Sequence, residues 1–170
     1  MSVDEHHRSD LATPLGFAVL TVTDSRLPDE DRSGPLARNL ASAAGHRIEE
    51  TRLLPNEPAA IQEELRDLLA RDEVDAVVLT GGTGISSRDI TVDAVRPLLE
   101  RPLEGFGELF RWLSYGEIGA PAMLSRAAAG VAHGKAVFVL PGSPPAIQLA
   151  MEKLILPGIA HLLGQARKGS

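Results

Sequence analysis

Three short segments of this chain combine residues able to act on a phosphorylated small molecule: Thr23-Asp24-Ser25-Arg26, Thr80-Gly81-Gly82-Thr83-Gly84 and Pro141-Gly142-Ser143-Pro144. The second removes three side chains, which lets backbone N–H groups approach an anion. It is not a Walker loop, because no Lys-Ser/Thr pair follows, and Ser86-Ser87 stand where a dinucleotide fingerprint would place its last glycine. A tight turn needing positive φ explains this loop as well as an anion cradle does. Just downstream, Ser86-Ser87-Arg88-Asp89-Ile90-Thr91-Val92-Asp93 sets a guanidinium suited to phosphate beside a carboxylate suited to Mg2+ or to an exchangeable ring proton. Pairing of Asp89 with Arg88 is the plainer alternative. Thr91 reads as a helix N-cap, with Asp93 in the first turn where its charge complements the helix dipole. Ser143 ahead of Pro144 also reads as an N-cap, and a helix start there would serve equally as an anion site.

Other polar stretches have blander readings. Asp29, Glu30, Asp31 and Arg32 read as a solvated acidic loop, and Ser33-Gly34-Pro35 as the capped opening of a helix. Asn56 is placed to cap a following helix. Glycines on either side of Phe106 suggest a tight bend with a buried aromatic anchor. Ser125 and Arg126 either hold a phosphate or leave Arg126 on the surface, while Met123 and Leu124 belong to a core or an interface. The five histidines have no metal-ligand spacing, so surface or turn roles are expected for each.

Buried strands must position these loops. Phe17 to Val22, Ala76 to Leu79 and Ala136 to Leu140 are short, Val-rich apolar runs ending in turn residues, as strands covered on both faces are. Arg47 to Leu54 is more mixed and suits an edge. Helical stripes lie between them: Leu36, Leu40, Ala43 and Ala44, closed by Gly45; Ile61, Leu65, Leu68 and Leu69; Phe106, Leu109, Phe110 and Leu113. From Ala146 to Leu163 the pattern is helical twice, broken at Pro157-Gly158. Ala127 to Ala132, His133-Gly134 and Lys135 to Leu140 read as a hairpin, adding one antiparallel strand. The expected fold is three-layer α/β/α around a mostly parallel sheet, in one domain over residues 15–166 behind a disordered leader, residues 1–14. In such a sheet ligands sit outside the carboxyl ends of the strands, where all three loops would gather.

Composition narrows the function. The 170 residues carry a net charge of −6, against a broad nucleic-acid surface. The sequence has no apolar run read as a membrane span and no hydrophobic signal region, so a cytoplasmic protein is expected. With no cysteine, disulfides, zinc-thiolate sites and Cys nucleophiles are excluded.

From about Gly16 to Leu163 the chain resembles molybdenum cofactor biosynthesis proteins of the MoaB/MogA family, and MoaB more than MogA. The resemblance rests on Leu79-Thr80-Gly81-Gly82-Thr83-Gly84 continued by Arg88-Asp89-Ile90-Thr91-Val92-Asp93-Ala94, then Gly105-Phe106-Gly107-Glu108, Ser125-Arg126-Ala127 and Leu140-Pro141-Gly142-Ser143-Pro144. It implies binding of molybdopterin and ATP, transfer of AMP to the pterin's terminal phosphate with Mg2+ assistance, and release of pyrophosphate. By position it implies catalytic roles for Asp89, also the tentative Mg2+ ligand, and Asn56. Thr23, Asp24, Ser25, Gly81, Gly82, Thr83, Gly84, Arg88, Thr91, Ser125, Arg126, Pro141, Gly142 and Ser143 would bind nucleotide and pterin. One departure bears on the chemistry. Active members often have Asp in the Pro-Asp-Glu step where this chain has Pro55-Asn56-Glu57. Two alternatives remain open at this point: a non-catalytic pterin carrier, and a nucleotide-acting protein like the competence-damage proteins of the same fold. The resemblance also implies a homotrimer or homohexamer, with apolar surface from Met123 to Val131 contributing.

Overall fold

The structure, a computed structural model, describes residues 13–25 and 27–169; apart from Thr13 and Pro14, the expected leader lies outside the described residues, as does Arg26. Six strands form one sheet in the order β2-β1-β3-β6-β5-β4. They are β1 (Gly16–Val22), β2 (Arg47–Leu54), β3 (Ala76–Thr80), β4 (Arg101–Pro102), β5 (Ala128–Ala132) and β6 (Lys135–Leu140). Strands β2, β1, β3 and β6 run parallel, with Phe17 opposite Ala76 and Ala76 opposite Ala136; β5 runs against them, and β4, antiparallel to β5, runs with them. The sequence reading had no β4, since two residues show no periodicity.

Alternation along the central strands divides the core. Phe17, Val19, Val78 and Phe138 face α1 (Ser33–Ala43), the helix α4 (Glu104–Ile118) and the C-terminal helical run. Ala18, Leu20, Val77, Leu79 and Val137 face α2 (Pro58–Ala70) and the short α3 (Thr91–Val95). Every residue of β1, β3 and β6 is buried, which is why these strands read as continuous apolar runs rather than alternating ones. This is the expected three-layer α/β/α arrangement. In α1 the deepest residues are Ala37 and Ala41, with Leu36 and Leu40 half-buried and Ala43 and Ala44 exposed, because small side chains let the helix lie close to the sheet.

Several local expectations change. The C-terminal helix is not broken at Pro157-Gly158. α5 (Pro144–Ala150) passes through one wider π turn (Met151–Ile155) straight into α6 (Leu156–Ala166). The wide turn accommodates the proline, which lacks an N–H and would crowd the carbonyl four residues back. The resulting Pro144–Ala166 run has the length and apolarity of a membrane span, contrary to the sequence reading. Its stripe of Ile147, Met151, Ile155, Ile159 and Leu163 is buried in the core. Phe106 lies in the first turn of α4 rather than in a bend, with its ring centroid 5.3 Å from that of Phe138. His46 is no free surface group: its Nδ1 accepts the Leu15 N–H at 3.2 Å, and burial, then the neighbouring Arg47 charge, lower its pKa.

The acidic stretch before α1 is not wholly solvated. Asp31 is 7% exposed; its Oδ2 accepts the Thr21 hydroxyl at 2.7 Å and its Oδ1 accepts the Ser33 and Gly34 amides, each at 3.1 Å. It thereby satisfies orphan donors at the helix start that Ser33 was expected to cap. Asp31→Ala should lower unfolding free energy by about 2–4 kcal/mol in urea titrations, the scale of removing one buried charged acceptor. Asp31→Asn, which keeps the carbonyl for the two amides, should lose less than half as much.

Candidate functional site

The parallel strands β1, β3 and β6 end together, and their three following loops meet. The Gly81 N–H donates to the Leu140 carbonyl at 2.9 Å, and the Ser33 hydroxyl to the Gly142 carbonyl at 2.7 Å. Gly81 (φ +95) and Gly82 (φ +71) hold the left-handed backbone that L side chains rarely adopt. Space forbids a side chain as well: a Cβ on Gly81 would stand 2.6 Å from the Val22 carbonyl oxygen, and one on Gly82 would collide with the Thr91 hydroxyl. The tight turn and the absence of side chains over the loop therefore hold at once.

Between the loops lies a cleft with two lobes. One, of about 470 Å³, is lined by Val22, Thr23, Ser25, Gly81, Gly82, Gly142, Ser143 and Pro144. The second, of about 250 Å³, shares Val22, Thr23, Ser25 and Gly82 and adds Asp24, Asn56, Arg88 and Asp89. Ser143 is the N-cap residue of the α5 helical run with Pro144 at its start, as expected, although its side chain makes no capping hydrogen bond. The first lobe is thus walled by three glycines and a helix start, and the second adds two carboxylates.

Asn56 does not cap α2; Glu57 holds that position. Its backbone N–H donates to Asp24 Oδ1 at 3.0 Å, and its side-chain Nδ2 donates to the Arg88 carbonyl at 2.7 Å. An aspartate could not donate to that carbonyl. Asn56 therefore ties the turn after β2 to the Arg88-Asp89 loop. Arg88 is 80% exposed, with a guanidinium 3.5 Å from Asp24 Oδ2, so its ion-pair partner is Asp24 and not Asp89. Asp89 Oδ2 accepts the Ser86 amide at 3.0 Å. Thr91 is no N-cap: it is the first residue of α3, its N–H donating to the Gly82 carbonyl at 3.2 Å. Its buried hydroxyl has no hydrogen-bond partner among the described residues.

Arg126 and Ser125 lie outside the lining of both lobes. Arg126 instead supports the glycine loop from below. Its amide donates to the Thr83 carbonyl at 2.7 Å, Nε to the Gly84 carbonyl at 2.8 Å and Nη2 to the Asp89 carbonyl at 2.6 Å. Nη1 and Nη2 also form a forked pair with Asp93, each at 3.0 Å. Hydrogen bonding to Arg126 holds the Asp93 carboxyl below the usual carboxylate range, and the same bond raises the Arg126 pKa. Thr83, buried beneath the loop, presents its carbonyl and not its hydroxyl to this clamp. Sequence reasoning missed Asp31 as a support and the tie from Ser33 to the Gly142 carbonyl. An Asp two residues before Ser-Gly is a capping signal, but it was hidden within an acidic run.

A cleft at the carboxyl ends of parallel strands is where open α/β sheets bind their ligands. Residues 18–161 match the family described as "Probable molybdopterin binding domain", and the chain belongs to that family. Its relatives include proteins called molybdenum cofactor biosynthesis protein B. That of Staphylococcus carnosus is 46% identical over 171 residues, covering 99% of this chain and 100% of the relative. A crystal structure of a molybdenum cofactor biosynthesis protein B superposes with a TM-score of 0.87 at 41% identity, covering 91% of this chain and 96% of that one. A MogA structure at 24% identity and TM-score 0.80, covering 89% of this chain and 99% of that one, shares the fold.

Arg126→Lys leaves one ammonium where a planar fork met three groups. Amide exchange from Gly84 to Asp89 should accelerate at least about tenfold, with little change in the core strands. Because the Asp93 pKa is lowered on folding, its contribution is complete above the ordinary carboxylate range and is lost as pH falls through the lowered value. Protection of this loop in the wild type, corrected for intrinsic exchange, should therefore decline on acidification while Arg126→Lys changes less.

Proposed function

We propose that this protein binds molybdopterin and Mg-ATP in the two-lobed cleft and transfers AMP to the pterin's terminal phosphate. A phosphate oxygen of the pterin attacks the α-phosphorus; the new P–O bond forms as the bond to the β-phosphate breaks, and pyrophosphate leaves with the electron pair. The observation that carries this reading is the meeting of the Gly81-Gly82 loop and a helix start with Asp24 and Asp89 in one cleft. Family membership supplies the pterin.

Such a transfer needs alignment and charge neutralisation rather than a covalent enzyme nucleophile. The Gly81 to Gly84 loop, with Thr83 at its floor, and the Pro141-Gly142-Ser143 turn receive the nucleotide phosphates. Thr23 and Ser25 close the same wall, and Arg88 stands at the rim as an exposed cation. Among the described residues no group of three or more His, Asp or Glu is poised to hold a metal by itself. Two carboxylates in the second lobe suit Mg2+ that arrives with a nucleotide, since this ion commonly takes one or two carboxylates and completes its shell with phosphates and water. Bound there, it would neutralise the charge that develops on the leaving pyrophosphate. Ser125 and Arg126 act at one remove, through the loop that carries Asp89.

Asn56 favours a second reading, a pterin-binding protein that does not transfer AMP. It puts a neutral amide, already committed to the Arg88 carbonyl, where active members of the family often have a carboxylate. Exposed Leu109, Trp112, Tyr115, Ile118, Met123 and Leu124 further support a homotrimer or homohexamer, since so much apolar surface usually marks an interface.

The purified protein, given molybdopterin and Mg-ATP, should form adenylylated molybdopterin only when both substrates are present. Asp89→Ala should slow the transfer by at least about 100-fold. Full turnover in that variant would remove Asp89 from the mechanism. Pterin binding without product would establish the carrier reading, and gain of transfer in Asn56→Asp would then assign the defect to that one side chain.

A further inference from the structure

Outside the cleft, one groove is lined by three arginines. It runs between the start of α4, the Arg96–Leu99 turn and the approach to β5, encloses about 310 Å³, and includes Arg96, Arg111, Arg126, Ser125, Gly107 and Glu104. It shares no lining residue with either lobe of the cleft.

Arg111 is built into this groove. A Cβ on Gly107 would stand 2.9 Å from both Nη1 and Nη2 of Arg111 and 2.7 Å from the Ala127 carbonyl oxygen. Gly107 is therefore the helical position that leaves room for the guanidinium to lie flat against its own helix. Nη1 donates to the carbonyls of Ser125 at 3.3 Å and Ala127 at 3.2 Å, which fix the plane of the head. Its Nη2 and Nε have no acceptor among the described residues. Arg96 is exposed and makes no hydrogen bond there, although its charge acts on Asp93. The Ser125 oxygen accepts the Ala127 amide at 3.3 Å, which leaves its hydroxyl hydrogen to donate elsewhere. Arg126 contributes a third positive charge while paired with Asp93. Against these stands the Glu104 carboxylate, in the first turn of a 15-residue helix whose N-terminal dipole also favours an anion.

A guanidinium held in place with donors unused, a second exposed guanidinium and a hydroxyl are the parts of an oxyanion site. We propose that this groove binds a phosphoryl group, as free phosphate or as the terminal group of a phosphate monoester, independently of the nucleotide-phosphate cleft. Arg111 fixes the position of the phosphorus, Arg96 closes over it and Ser125 donates from the floor. Arg126 forms the wall between the two sites, so that occupation of the groove adds an anion beside the side chain that holds the Gly84 and Asp89 carbonyls.

Titration of the full chain with inorganic phosphate and then with methyl phosphate, followed by amide NMR, tests this directly. Saturable shifts are expected at Gly105, Gly107 and Ser125. The dissociation constant should rise about five- to tenfold in Arg96→Gln, the scale of one partly exposed charge-assisted hydrogen bond. The Arg96 side chain makes no hydrogen bond among the described residues, so this variant keeps the fold; Arg111→Gln, which removes the fixed guanidinium, should abolish the groove shifts while the amides of β1, β3 and β6 stay unmoved. Tight binding of methyl phosphate would assign the groove to the end of a larger ligand, and binding of inorganic phosphate alone would assign it to the free ion. Shifts confined to Gly81, Gly82 and Gly142, absence of saturation, or an unchanged constant in Arg96→Gln would overturn the proposal.

Discussion

The candidate site depends on the close approach of three parallel strand ends. Where β1, β3 and β6 finish, the chain must turn away without leaving buried amides and carbonyls unpaired. Gly81 meets this by giving its N–H to Leu140 at the end of the neighbouring strand while its Cα lies 3.3 Å from where a Gly142 Cβ would be. No side chain fits at that crossing. The backbone that remains is drawn together, stripped of cover and held by ladder hydrogen bonds below. The same packing that closes the top of the core thus leaves a cleft without side-chain cover between the loops, and the fold and the site follow from one steric constraint.

Support for that crossing comes from opposite directions. On one side, Asp31 and Ser33 join the start of α1 to Thr21 and to the Gly142 carbonyl. On the other, Arg126 gathers the carbonyls of Thr83, Gly84 and Asp89. A third tie runs from Asn56 to Arg88. Each converts a loop that would otherwise sample many conformations into one with its donors and acceptors already satisfied, which is what preorganised binding of a charged ligand requires.

The central strands were legible because burial on both faces writes itself as an unbroken Val-rich run, and the loops were legible as turn residues that follow such runs. Most helices showed their apolar stripes. What escaped has a common cause: it depends on partners distant in sequence. Asp31 looks like any residue of an acidic loop until Thr21 is beside it, and the amide of Asn56 acquires meaning only from the Arg88 carbonyl, 32 positions away. Asn56 carries a side chain that favours a helix cap, yet a tertiary contact engages it elsewhere, while Thr91 lies inside its helix with its hydroxyl buried and unpartnered among the described residues. Arg126 was weighed as a phosphate ligand or a surface residue, and its geometry adds the role of loop clamp, for which no local pattern exists. The Gly-Phe-Gly step suggested a bend because its glycines are needed for something local sequence does not show: at Gly107, clearance for the head of Arg111.

A chain with net charge −6 can handle anions because its positive potential is assembled locally rather than globally. A phosphate bound as proposed in the cleft would meet backbone dipoles, whose partial charges cannot be titrated away and hardly alter the long-range field. Arg88 is partnered by Asp24, and Arg126 by Asp93. Pairing leaves these guanidinium groups oriented while cancelling much of their reach, so an anion gains little from them at a distance and more on contact. Selectivity in such a site comes from shape and from hydrogen-bond direction more than from net attraction. That explains why the neutral Asn56 is of such consequence here: in a site whose charges are already balanced in pairs, exchanging one amide for a carboxylate would change both the balance and the loop it holds.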